Sequence, residues 1–112
     1  MANKNRGEVS VKLAGKTYIL RPSFQAICSI ESEVGKSILD ILINLPKEKI
    51  TLSEMESIIK HGITAYGKNA QIDQSDIGEL IYGEGIINIL PSLIEFLELA
   101  IGINKENKNG FR

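Results

Sequence analysis

Residues 7–35, GEVSVKLAGKTYILRPSFQAICSIESEVG, hold two short alternating runs followed by a helical one, and the joints between them decide the fold. From Glu8 to Leu13 the side chains alternate, with Val9, Val11 and Leu13 on one side and Ser10 and Lys12 on the other. That is the period of a half-buried strand. Ala14-Gly15 is the turn. A two-residue loop there pairs Leu13 with Lys16, Val11 with Tyr18 and Val9 with Leu20, which gathers Val9, Val11, Tyr18 and Leu20 on one face. Ala14 suits the primed turns poorly, because type I′ needs a positive φ there, so a slightly longer loop is the alternative. Two strands are marginal in water by themselves, and this face must be covered by helices or by another subunit.

Beyond Arg21, Pro22 suits a first helical turn. Phe24, Ile27, Cys28, Ile30, Glu31 and Val34 recur at helical spacing, which predicts a helix closed by Gly35. A short helix follows from about Ser37 to Leu45, with Ile38, Leu39, Ile41 and Leu42 inward and Pro46 blocking its continuation. Thr51-Leu-Ser-Glu54 is a capping box, and its helix runs to about Tyr66 with Leu52, Met55, Ile58, Ile59, Ile63 and Tyr66 inward. Gly62, inside that helix, costs about 1 kcal/mol against Ala, so another backbone is expected to approach it. Asp73 or Ser75 then caps a helix over Asp76–Tyr82 that ends in Gly83-Glu-Gly85. The last helix, Ile86 to about Ile101, is apolar almost all round, kinks or restarts at Pro91, and closes at Gly102. The expected fold is α+β, mainly α: an N-terminal two-stranded β-hairpin followed by about five helices packed as a small bundle. One domain should span 7–103, with disordered segments at 1–6 and 104–112.

Composition narrows the function classes. A chain of 112 residues with 43% apolar content can build one modest core without disulfides or metal. The net charge of −1 hides an asymmetry. Residues 1–22 carry five cations against Glu8 alone, residues 23–104 carry five lysines against twelve acids, and the tail from 105 is basic again. Such a split can steer assembly between subunits. A single cysteine excludes an internal disulfide and any cysteine-based zinc site. The N-terminus has no apolar leader segment, and the apolar stretch Gly85–Ile103 is interrupted by Asn88, Pro91, Glu95 and Glu98, which argues for a soluble protein rather than a membrane span.

Catalytic patterns are hard to find. His61 is the only histidine and has no cysteine nearby, so it reads as an ordinary helix residue. Cys28 lies on the first helical stripe without a basic neighbour and reads as an inert core thiol. Glu31 and Glu33 point to different helix faces, and Glu95 and Glu98 fall on the exposed edge of the last helix, so neither pair makes an acid–base couple. Gly83-Glu-Gly85 follows a helix, not a strand, and is no phosphate loop. Lys12, Lys16 and Arg21 could meet phosphates and Tyr18 could stack on a base, but the register turns Tyr18 inward and the rest of the chain is acidic. No catalytic, cofactor or metal residue is assigned.

Arg6-Gly7-Glu8-Val9, Gly15, Leu20-Arg21-Pro22-x-Phe24, Ile30-Glu31 and Gly35, in that order, resemble the small gene transfer agent tail protein family of prophage-like elements and related tailed phages. The family is also labelled phage tail tube protein or tail assembly chaperone. The resemblance continues through Ile58-Ile59-x-x-Gly62-Ile63, Tyr66-Gly67, Ile77-Gly78, Ile81 and Gly85, and departs at His61, where a small residue is common. It marks Gly7, Gly15, Arg21, Pro22, Phe24, Gly35 and Gly62 as structural positions.

A tube subunit needs long strands to build a hollow barrel, whereas a hairpin with about five helices suits an assembly chaperone. The resemblance therefore implies a non-enzymatic protein of the bacterial host cytoplasm. It would bind the hydrophobic, helical tape measure protein and keep it soluble while tube subunits polymerise. The expected contacts are Leu90, Leu93, Ile94, Leu97 and Ile101 of the last helix, with homo-oligomerisation competing for the same surface. The alternatives are a tail subunit retained in the virion, at a tube end or joint, and an adaptor binding nucleic acid through the basic hairpin. No membrane partner is expected.

Overall fold

Val9 faces Leu20, Val11 faces Tyr18 and Leu13 faces Lys16 across an antiparallel pair, the register that the alternation predicts. The computed structural model describes residues 7–67 and 76–102. Within them the order is β1 (Val9–Leu13), β2 (Lys16–Leu20), α1 (Phe24–Val34), α2 (Ile38–Asn44), α3 (Leu52–Tyr66), α4 (Ile77–Glu84) and α5 (Ile86–Ala100). The fold is α+β, mainly α. The segments expected to be disordered, and the caps expected at Asp73 or Ser75, lie outside the described residues.

The turn keeps its two-residue form although Ala14 is not a glycine. Ala14 and Gly15 both have positive φ, at 53° and 81°, as type I′ requires. The Ala14 N–H donates to Glu84 Oε1 at 3.1 Å, so the end of α4 holds the disfavoured residue in place. At the other end of the hairpin, a Cβ on Gly7 would stand 3.7 Å from Pro22 Cγ, which puts the two motif residues side by side.

The first helix begins later than expected. Ser23 is its N-cap, its hydroxyl accepting from the Ala26 N–H at 3.1 Å, so Pro22 precedes the helix rather than opening it. Its inward line is only partly the one expected. Ala26 and Ile30 are buried and Ile27 and Val34 half-buried, while Phe24 is 87% exposed and Cys28 is exposed. Phe24 and Cys28 are one helical turn apart and lie about 200° round the helix from Ala26 and Ile30, so the face that packs on α3 turns them outward. Neither the inward position expected of Phe24 nor the core setting expected of Cys28 is found. Gly35 closes the helix in the left-handed conformation, as predicted.

The core is centred on α3, which packs against α1, β2, α4 and α5. Its capping box is complete: Glu54 N–H donates to Thr51 Oγ1 at 3.1 Å and Thr51 N–H to Glu54 Oε1 at 2.9 Å. Glu54 is buried, which raises its pKa, but Lys36 at 2.8 Å and the Thr51 N–H outweigh that and hold it below its ordinary value. The backbone expected near Gly62 is the end of β2. A Cβ there would stand 2.9 Å from Leu20 Cβ and 3.1 Å from Phe96 Cε1, and the Arg21 N–H donates to the Gly62 carbonyl at 3.1 Å. Glycine at this position lets a strand lie directly on a helix.

In α2, Ile38 and Ile41 are buried as expected, but Leu39 is exposed together with Ile43 on the opposite face. The last two helices meet at Gly85 with a bend of 115°. Pro91 is carried inside α5 without dividing it into two elements. Among the described residues no single helix is long and apolar enough to cross a membrane.

Candidate functional site

The most concentrated polar chemistry joins α1 to α3. Ser57, Lys60 and His61 share one face of α3 at i, i+3 and i+4, and all three reach Glu33 on α1. Ser57 Oγ donates to Glu33 Oε1 at 2.7 Å, His61 Nε2 lies 2.9 Å from the same oxygen, and Lys60 Nζ donates to Oε2 at 2.8 Å. The Lys60 ammonium first, then the Ser57 hydroxyl and His61, lower the Glu33 pKa from 4.5 to about 2.

Serine, histidine and carboxylate are together here, but in the wrong order for nucleophilic catalysis. A catalytic serine gives its proton to histidine, with the acid behind the ring; here both Ser57 and His61 are bonded to the acid. The arrangement is a clamp between two helices. Nothing in the sequence reading linked these residues, which are separated by 24 to 28 positions. The available signal is the polar cluster at 57, 60 and 61 on one face of α3.

Glu31 and Glu33 do point to different partners, as expected. Glu31 Oε2 accepts from the Ile38 N–H at 2.9 Å and so completes the start of α2. Glu95 and Glu98, expected on an exposed edge, are half-buried. Arg21 pairs with buried Glu8 and lies 5.5 Å from the centre of the Tyr66 ring. With Arg21 committed inward and Tyr18 packed against the core, the basic outer face of the hairpin offers Lys12 and Lys16 but no stacking ring. That removes the main support for a nucleic-acid site.

Three of the five residues expected to bind a partner are buried. Leu90, Leu93 and Leu97 belong to the buried core, and Ile94 and Ile101 pack half-buried against it. The reason lies in the neighbours of α5, which packs against β1, α2, α3 and α4. A helix that is apolar all round is here one covered on most sides. Among the described residues, the large apolar side chains that do face outward are Phe24, Leu39, Ile43, Tyr82 at 73% exposure, Ile86, and Ile87 at 60%. They come from α1, α2, α4 and the first turn of α5.

Comparison with protein families decides the class. The family described as phage tail tube protein, GTA-gp10, matches residues 6–102, nearly the whole chain. The chain belongs to this family. The resemblance read from Arg6–Val9, the Arg21-Pro22 junction and Gly62 is therefore a true membership, and the match ends two residues after α5. Comparison with curated proteins and with solved structures returned no match. The GTA-gp10 family is one of phage tail proteins, so the polar clamp and the apolar surface are those of a tail component.

Proposed function

We propose that this GTA-gp10 family member is a non-enzymatic tail assembly chaperone that acts in the cytoplasm of the producing bacterial cell. In this reading it binds the hydrophobic helices of the tape measure protein and holds them soluble until tail tube subunits enclose them. The observation that carries it is the architecture. Two five-residue strands closed into one hairpin, with five helices around them, supply helical binding surfaces and no wall for a tube. Exposed apolar side chains on α2, α4 and α5 give those helices somewhere to dock.

Co-expression with the tape measure gene of the same tail operon tests the reading. Soluble tape measure protein should rise and should co-purify with this chain; unchanged yield with no co-purification contradicts it. The words "tail tube" in the family's description favour one second reading, a subunit retained in the particle. Mass spectrometry of purified particles separates the two, since a chaperone is missing or substoichiometric there.

A further inference from the structure

A groove of about 590 Å³ runs between α3 and α4, lined by Leu52, Glu56, Gly78, Glu79, Tyr82 and Gly83. Its shape comes from two glycines. A Cβ on Gly78 would stand 3.2 Å from Glu56 Oε2, so the bare helix lets that carboxylate lie across it, and a Cβ on Gly83 would meet nothing within 4 Å. Gly78 and Tyr82 are one turn apart on α4, as are Glu79 and Gly83, so the exposed Tyr82 ring and the Glu79 carboxylate rise between two positions without side chains. A rigid ring with an apolar face and a polar tip is among the side chains enriched as interface anchors.

Two features specify the occupant. The charged groups of the groove, Glu56 and Glu79, are both acidic, and the middle of the chain, residues 23–104, has twelve acids against five lysines. An approaching basic group is attracted and an acidic one repelled. The walls are helices, not an open sheet edge, so an extended peptide finds no strand to pair with; the mode that fits is an apolar helix face laid in a groove.

We propose that the α3–α4 groove is the partner-docking site, and that its occupant is an amphipathic helix of a partner protein. Its apolar stripe seats against Tyr82 and Leu52, and lysines or arginines flanking that stripe pair with Glu56 and Glu79. The inference rests on the chaperone reading and names the contact surface that the burial of Leu90, Leu93 and Leu97 left open.

The test uses the full chain and a labelled helical peptide with a leucine stripe flanked by lysines, against a control in which glutamates replace the lysines. Fluorescence anisotropy should show binding of the lysine peptide only. Gly83→Leu, which fills open space, and Tyr82→Ala, which removes an exposed ring, should each weaken it about tenfold or more while leaving the circular dichroism spectrum unchanged. The double reversal Glu56→Lys, Glu79→Lys should switch the preference to the glutamate peptide, an outcome unfolding cannot imitate. Binding of neither peptide, equal binding of both, or variants without effect overturns the groove assignment. Self-association that Gly83→Leu abolishes, with no change in peptide binding, overturns the occupant by showing a second copy there. Tape measure protein that still co-purifies with Gly83→Leu leaves the chaperone reading standing and rejects the groove; failure of the unmodified chain to co-purify with it rejects the chaperone reading itself.

Discussion

Gly62 and Gly83 are both glycines inside helices, and they meet opposite surroundings. At Gly62 the space a Cβ would need is already taken by Leu20 and Phe96, and the carbonyl accepts from Arg21. At Gly83 there is open space. The first glycine closes the molecule by letting the hairpin lie on α3; the second leaves one side of α4 bare beside an exposed tyrosine. The contrast separates the packing the chain uses to fold from the groove proposed for a partner.

The strongest way to break that division is to charge the closed side. Leu93 is fully buried. Leu93→Glu places an unpaired carboxylate there and should destabilise the chain by about 4 kcal/mol or more, abolishing its cooperative melt. A cooperatively melting Leu93→Glu variant would show that α5 is not the core helix described.

Gly62→Ala comes next. With a Cβ only 2.9 Å from Leu20 Cβ the overpacking penalty falls in the upper part of the usual range, about 2–3 kcal/mol, and less the roughly 1 kcal/mol gained in helix propensity it leaves a net loss of about 1–2 kcal/mol in urea unfolding. Glu33→Gln, which loosens the clamp on the closed side, should cost only about 1 kcal/mol at neutral pH, because the carboxylate is 46% exposed and water screens its partners. The sign follows from the depressed pKa. Glu33 contributes fully above its ordinary value of 4.5 and loses that contribution as the pH falls through about 2, so the two proteins should converge in stability over that interval. Gly83→Ala has the smallest effect and the opposite direction: about 0.5–1 kcal/mol of added stability, since the helix gains propensity and nothing is displaced. Equal signs for Gly62→Ala and Gly83→Ala would erase the contrast between the two sites.

Local rules with a single solution were legible in the sequence. The hairpin register, the Thr51–Glu54 capping box, the Gly35 terminus and the approach to Gly62 each follow from a few adjacent residues, and the structure has all four. Features set by packing between distant elements were not. Along α1, both the 24/28 line and the 26/30 line are plausible inward faces, and only contact with α3 selects the one built on small Ala26. Helix α5, apolar almost all round in sequence, suggests a partner-binding face because its neighbours β1, α2, α3 and α4 cannot be counted from its own residues. The α3–α4 groove is made of two glycines, two glutamates, a leucine and a tyrosine that carry no joint signal until the helices are brought together.

The most direct measurement is to co-express the tape measure protein of the same operon with the unmodified chain and with Gly83→Leu, and to weigh what co-purifies. The unmodified chain should retain the tape measure protein, and Gly83→Leu, though at least as stable, should lose most of it. Equal retention by both chains would contradict the groove as the working surface, and retention by neither would contradict the chaperone itself.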